Sequence, residues 1–178
     1  MLFNLDSIQS AANDYTQSLS QFLESHDLDH PQSADHLAIK VADSADYDAQ
    51  LPQLLKMLSS AQYVNLNNRR ICTGKLITPI TLPGFSQTNF LEILEPRPSK
   101  VGTGVVGLEH VEFLVPDLDS VKSALVAKNI LPEFHDNGHH RSLIVKFNNL
   151  GQELVYTNTP LEQVLVEEQK NGLITRLK

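Results

Sequence analysis

The chain has 178 residues, of which 41% are hydrophobic and 20% charged, which is ordinary for a globular protein and excludes intrinsic disorder. It carries 14 basic and 21 acidic residues, a formal net charge of −7, and no basic cluster that would suit a nucleic acid. Cys72 is the only cysteine, so we expect neither disulfide bonds nor a thiolate zinc site. No apolar run is long enough to span a membrane and no signal peptide is recognisable, so we expect a cytoplasmic protein.

The N-terminal region, residues 1–30, is predicted to form a helix. Apolar residues recur at steps of three and four from Ile8 to Leu23, which places them along one side of a helix. The polar segment 25–35 ends this helix.

Residues 34–98 are predicted to form a first module of one strand, one helix and three further strands. We expect a strand at 36–41, a helix at about 44–60, strands at 62–66 and 69–78, and a last strand at 90–95. The middle two strands are expected to form a hairpin that turns at Asn67-Asn68.

Residues 106–158 repeat this order of elements. We expect a strand at 109–115, a helix at about 118–129 that Asp117 caps, and strands at 131–135, 141–147 and 152–156. The segments 35–43 and 109–117 share an acid, a histidine, a valine and an aspartate at equal spacing. Such a repeat indicates one structural unit used twice, and each unit is too small to bury its own sheet.

The last region, residues 159–178, is predicted to form a C-terminal helix. Thr159-Pro-Leu-Glu162 has the pattern of a capping box, and Asn171-Gly172 is a natural helix end. The predicted fold class is therefore α+β, with two pseudo-repeated strand–helix–three-strand modules that form a curved sheet around a cavity, and extra helices at both ends.

Two histidines occupy equivalent positions in the two modules. Side chains alternate across a strand, so the apolar residues of 36–41 and 109–115 face the helices while His36 and His110 face the opposite side. If the sheet curves, that side lines a cavity. Two imidazoles that converge there could begin a transition-metal site.

Carboxylates of the last strands could complete such a site. Glu92 shares the uncovered face of its strand, and Glu153 is the acidic residue of the last strand in the second module. Glu95 has the opposite parity and is expected at a rim, but it remains an alternative to Glu92. Glu112 shares a face with His110 and is expected to orient it rather than to bind metal.

Other polar residues have weaker signals. Arg69 and Lys75 could bind an anionic substrate, although exposed hairpin charges are the simpler explanation. His139-His140-Arg141 follows a turn signal and is expected to be a solvated loop.

The sequence resembles the vicinal oxygen chelate superfamily, which includes glyoxalase I, extradiol dioxygenases and bleomycin resistance proteins. Within it, the chain is most similar to the YecM family of uncharacterised bacterial proteins. The resemblance covers about residues 34–157 and rests on Ala-Asp-His36, Asn-Arg-Arg-Ile-Cys-Thr-Gly-Lys-Leu at 68–76, and Glu-His-Val-Glu at 109–112. The long N-terminal helix and the acidic C-terminal helix also fit that family.

The resemblance implies a divalent transition metal, such as Zn, Fe, Mn or Ni, held between the modules by His36, Glu92, His110 and Glu153. It also implies a lyase, isomerase or dioxygenase type of reaction on a small oxygen-bearing substrate, with Glu92 and Glu153 as catalytic residues. A metal-free protein that binds or sequesters a small ligand is the alternative. A third hypothesis is a subunit whose terminal helices mediate assembly, and a homodimer would fit it.

Overall fold

The computed structural model describes residues 3–66, 69–136, 138, 140–172 and 174–176. These residues form four α-helices, nine strands and a short 3₁₀ turn at Pro98–Lys100. The helices are α1 (Leu5–Ser25), α2 (Ser44–Lys56), α3 (Leu118–Ala127) and α4 (Leu161–Lys170). The strands are β1 (Ser33–Lys40), β2 (Leu58–Leu66), β3 (Arg69–Thr81), β4 (Gln87–Leu94), β5 (Gly107–Leu114), β6 (Glu133–Asp136), β7 (Arg141–Lys146), β8 (Glu153–Thr157) and β9 (Ile174–Arg176). None of the described helices is long and apolar enough to cross a membrane.

The strands form one mixed sheet in the order β6-β7-β8-β5-β1-β4-β3-β2-β9. Each half of the sheet begins at the centre with a parallel pair, β1 with β4 and β5 with β8, and continues outward through antiparallel pairs. The halves meet where β1 pairs antiparallel with β5. The predicted α+β fold class is confirmed, with the order of strands repeated in the two halves.

One face of the sheet packs against α1, α2 and α3 and forms the hydrophobic core. Leu37 and Ile39 of β1, with Val111 and Phe113 of β5, are almost completely buried there. They alternate along their strands, so the residues between them face the opposite side of the sheet. The sequence therefore sends every second residue of the two central strands away from the core.

Helix α1 is connected to the second half of the sheet through Tyr15. The hydroxyl of this buried residue donates a hydrogen bond to the carbonyl oxygen of Glu153 at 2.7 Å. It also accepts a hydrogen bond from the backbone N–H of Val111 at 3.2 Å. The ring packs edge-on against Phe147, with centroids 5.0 Å apart. This helix thus holds neighbouring positions of β5 and β8 together.

Some element boundaries differ from the sequence prediction. Helix α2 ends at Lys56 and β2 begins at Leu58, where the spacing of leucines predicted that the helix would continue to about residue 60. Leu58 is fully buried and pairs with Leu76 of β3, so tertiary pairing overrides the helical pattern. The predicted turn at Asn67-Asn68 lies outside the described residues. Strand β9 was not predicted, because three residues carry too little periodicity.

The predicted capping box at Thr159 is wrong. Helix α4 begins at Leu161 with Pro160 at the N-cap position, and no side chain caps it locally. The hydroxyl of Thr159 bonds instead to the side chain of Asn158 at 3.3 Å. The backbone N–H of Leu161 donates at 3.0 Å to the carboxylate of Asp35, so a distant side chain satisfies the start of this helix.

The predicted cap of α3 is confirmed. The carboxylate of Asp117 accepts a hydrogen bond from the backbone N–H of Asp119 at 2.9 Å. Asn171 follows the last residue of α4 as its C-cap, as the Asn-Gly signal predicted.

Candidate metal centre

His36 and His110 lie on the two strands that join the halves of the sheet. In the antiparallel pair of β1 and β5, His36 lies opposite Glu112, and Ala38 lies opposite His110. The two imidazole rings are 5.8 Å apart between centroids and nearly perpendicular. Both line one cavity of about 300 Å³ on the face away from the core. The two histidines that the repeat singles out therefore converge.

Glu92 lies beside the histidines on β4. The parallel pairing of β4 with β1 places Glu92 opposite Ala38, which is in turn opposite His110. The Oε2 atom of Glu92 is 3.6 Å from Nε2 of His36, and its Oε1 atom accepts a hydrogen bond from Thr73. One donor atom each from His36, Glu92 and His110 lies within 4.8 Å of the others.

The two histidines have opposite electrostatic surroundings. Burial by itself would lower the pKa of His36, but the carboxylates of Glu112 and Glu92 and the hydrogen bond to Asp35 outweigh it and raise the pKa to about 9. Burial, followed by the charges of His36 and Arg69, holds the pKa of His110 well below its ordinary value. The lowered pKa favours the neutral imidazole of His110, which is the form that binds metals.

Glu153 lines the same cavity but does not join the group of three donor atoms. It lies opposite His110 itself, whereas Glu92 lies opposite the residue two positions after His36. The register equivalent of Glu92 in the second half is therefore Val155, which lies opposite Glu112. Burial, with a contribution from the nearby carboxylate of Glu109, raises the pKa of Glu153.

Glu95 does not lie at a rim, which corrects the expectation drawn from its strand parity. It is buried, and its carboxylate accepts hydrogen bonds from the backbone N–H and the guanidinium of Arg70 at 3.0–3.1 Å. These bonds lower the pKa of Glu95 to about 2. The ion pair joins the end of β4 to β3, and it leaves Glu92 as the glutamate of this strand that faces the cavity.

The two cationic candidates for substrate binding lie in different surroundings. Arg69 donates through Nε to the carbonyl oxygen of Glu95 at 2.7 Å and lies 3.9 Å from Glu109, and it is not part of the cavity wall described above. Lys75 is exposed, with its ammonium 5.8 Å from the centre of the Phe90 ring. Together with Phe90 it lines a neighbouring cavity of about 360 Å³ beside α4.

His140 lines the cavity, which corrects the expectation of a solvated loop. It is half-buried, and its Nε2 atom lies 2.8 Å from Oε1 of the buried Glu112. Burial by itself would lower the pKa of His140, but the hydrogen bond to Glu112, with the charges of Glu112 and Glu92, outweighs it and raises the pKa. His140 stands two residues before Ser142, which also lines the cavity, so the parity of β7 was the available signal. His139 lies outside the described residues.

The residues at this site fit a divalent transition metal. Two imidazoles and one carboxylate form a mixed nitrogen and oxygen donor set that suits Zn, Fe, Mn or Ni. The Nδ1 atom of His110 is buried and has no hydrogen-bond partner among the described residues. An unpartnered buried nitrogen is costly, and a cation bound through that atom would satisfy it.

Comparison with known proteins agrees with this fold. The model of the YecM protein family matches residues 4–165. The chain belongs to the YecM family. A solved structure described as structural genomics protein EC4020 has 18% sequence identity and a TM-score of 0.74, with 95% of this chain and 98% of that chain covered. No curated protein matches the YecM-family chain in sequence.

A second solved structure is similar in fold to this YecM-family chain. The methylmalonyl-CoA epimerase from Mycobacterium tuberculosis has 15% sequence identity and a TM-score of 0.51, and the match covers 79% of this chain and 99% of that chain. This likeness concerns the fold.

Proposed function

We propose that the protein is a metal-dependent enzyme that acts on a small oxygen-bearing molecule, with His36, Glu92 and His110 as the metal ligands. One observation carries this proposal: three donor atoms from three strands lie within 4.8 Å of one another at the wall of a cavity. A cavity of about 300 Å³ suits a small molecule. A bound metal would supply Lewis acidity that stabilises negative charge on a substrate oxygen.

The residues around the three ligands support binding and proton transfer. Glu153 lines the cavity beside His110 outside the group of three, so we assign it to acid–base catalysis towards the substrate rather than to metal binding. The pair of His140 and Glu112 forms a second polar wall of the cavity. Lys75, in the neighbouring cavity, is positioned to bind an anionic group of a longer substrate. Lyase, isomerase and dioxygenase reactions all fit this arrangement.

A metal-free protein that binds a small ligand is the second candidate. It is favoured by the contacts that His36 and Glu92 already make within the protein. His36 reaches Asp35 at 3.0 Å and Glu92 at 3.6 Å, and Glu92 also bonds to Thr73. In that case the side chains of His36 and Glu92 would only form hydrogen bonds with the ligand.

Metal analysis separates these two functions. Protein purified without a histidine tag would be stripped with a chelator and titrated with Zn²⁺, Fe²⁺, Mn²⁺ and Ni²⁺ by calorimetry. We expect one ion per chain, and anomalous scattering should place it between His36, Glu92 and His110. A chain that binds none of the four ions at micromolar concentration would contradict the metal-dependent function and favour the metal-free one.

A further inference from the structure

Asp35 precedes His36 at an irregular point of β1. Ala34 lies opposite Phe113 and His36 opposite Glu112, so two steps along β1 match one step along β5. Asp35 is therefore the extra residue of a β-bulge. Adjacent residues of a regular strand face opposite sides, and a bulge changes the direction of a side chain. Here it allows the carboxylate of Asp35 to reach the ring of its neighbour.

The carboxylate of Asp35 contacts His36 at the nitrogen that faces away from Glu92. The Oδ2 atom of Asp35 is 3.0 Å from Nδ1 of His36, while Nε2 of the same ring is 3.6 Å from Glu92. When the ring is neutral, a proton on Nδ1 that is donated to Asp35 leaves Nε2 as the atom that can bind a metal. Asp35 thus holds the imidazole at the nitrogen opposite the one that faces Glu92.

Asp35 is itself fixed by two further contacts. Its Oδ2 atom accepts the backbone N–H of Leu161 at 3.0 Å, at the start of α4, and its carbonyl oxygen accepts the hydroxyl of Thr88 at 2.7 Å. The side chain of Asp35 is 7% exposed. A carboxylate that is buried and anchored in this way can fix the orientation of a ring.

The equivalent acid in the second half of the sheet has a different contact. Ala38 lies opposite His110 and Ile39 opposite Leu108, so Glu109 is also the extra residue of a bulge. Its carboxylate forms an ion pair with Lys40 and stays 3.8 Å from Nδ1 of His110. Of the two site histidines, His36 is therefore the one that a neighbouring carboxylate orients.

We infer that Asp35 is a positioning residue, which holds the ring of His36 through Nδ1 so that Nε2 faces Glu92 and the metal. This inference rests on the proposed function. Carboxylates that hold a metal-binding imidazole in this way contribute about 10–100-fold to metal affinity.

The test compares D35A, which removes the acceptor, with D35N, whose amide oxygen can still accept the hydrogen bond. D46A is the matched control: Asp46 also accepts a backbone N–H, that of Ala42 at 2.9 Å, and it connects α2 to the segment that follows β1 without contacting either histidine. The hydrogen-bonded ring N–H of His36 would be followed by proton–nitrogen NMR in the metal-free protein. Affinity for Zn²⁺ would be measured by titration.

We expect D35A to lose the ring N–H signal of His36 and to bind Zn²⁺ about 10–100-fold more weakly. D35N should recover part of the ring N–H signal and part of the Zn²⁺ affinity, and D46A should keep the signal and the affinity of the parent. An unchanged signal, or an affinity of D35A within threefold of the parent, would overturn the inference, as would a D46A variant that loses as much as D35A. If D35A does not fold, weaker Zn²⁺ binding and an altered ring signal in D35N support the inference, and parent-like values for both refute it.

The two proposals fail in different ways. If the parent binds none of Zn²⁺, Fe²⁺, Mn²⁺ and Ni²⁺, the proposed function fails, and the NMR signal in the metal-free protein still decides whether Asp35 orients His36. If the parent binds Zn²⁺ and D35A binds it equally well, the positioning role fails and the proposed function stands.

Discussion

Replacement of His110 by alanine should abolish tight metal binding and leave the fold intact. The Nδ1 atom of His110 is buried without a hydrogen-bond partner, and leaving such an atom unpaired costs about 1–3 kcal/mol. Alanine removes that cost, and the ring's absence enlarges a cavity of about 300 Å³ that already exists. Because these effects oppose each other, we expect the free energy of unfolding of the metal-free variant to stay within about 1 kcal/mol of the parent.

Metal-induced stabilisation should respond much more strongly. His110 supplies one of three donor atoms, and we expect its loss to weaken binding at least ~100-fold, about 2.8 kcal/mol. At a free metal concentration of about 100 times the parent's Kd, binding stabilises the parent by about 2.7 kcal/mol. A variant with hundredfold weaker affinity would gain only about 0.4 kcal/mol under the same conditions.

Urea unfolding with and without Zn²⁺ measures both quantities on untagged protein. H26A is the control, because His26 caps the end of α1 and does not line the cavity. It should show the same metal-induced stabilisation as the parent. The reasoning is refuted if Zn²⁺ stabilises H110A by the full amount of about 2.7 kcal/mol, or if the metal-free form of H110A no longer unfolds cooperatively.

Three further predictions concern stability. T159A should change the free energy of unfolding by less than about 0.5 kcal/mol, because Thr159 does not cap α4. Chemical denaturation measures this change, and a loss above about 1 kcal/mol would contradict the prediction. G74A should destabilise the fold by at least about 1–3 kcal/mol in the same assay, because a Cβ atom there would lie 2.5 Å from the carbonyl oxygen of Ser60, and parent-like stability would contradict it. Since the Arg70 guanidinium lowers the pKa of Glu95 to about 2, the ion pair stabilises the fold above the ordinary carboxyl range and is lost as pH falls towards 2. The stability difference between parent and E95Q should therefore shrink between about pH 5 and pH 2 in urea unfolding, and a constant difference would contradict this.

Strand parity was enough to predict where the two histidines point. His36 and His110 each alternate with core residues such as Leu37 and Val111. The alternation of side chains along a strand does not depend on which strand lies beside it. The same argument placed Glu92 on the open face. The repeat then predicted that the two halves would share one sheet.

Register and long-range hydrogen bonds could not be predicted in this way. Parity assigns a side chain to a face of the sheet but does not fix its position along the neighbouring strand. It therefore could not show that the counterpart of Glu92 in the second half is Val155 rather than Glu153. The bulge at Asp35 depends on how β1 pairs with β5. Asp35, which lies 126 residues away in the sequence, accepts the hydrogen bond of the backbone N–H at the start of α4. No local capping pattern reveals this contact.

The direct pairing of β1 with β5 has a consequence for unfolding. This pairing is the seam between the two halves of the sheet, and His36 and His110 stand on its opposite sides. A cation held by both residues would cross-link the seam, so the halves could not separate before the ion is released. The ligands also belong to one chain, so the cross-link forms at any protein concentration. We therefore expect metal to slow hydrogen exchange most strongly at the backbone amides of β1 and β5, and to do so equally in dilute and concentrated protein.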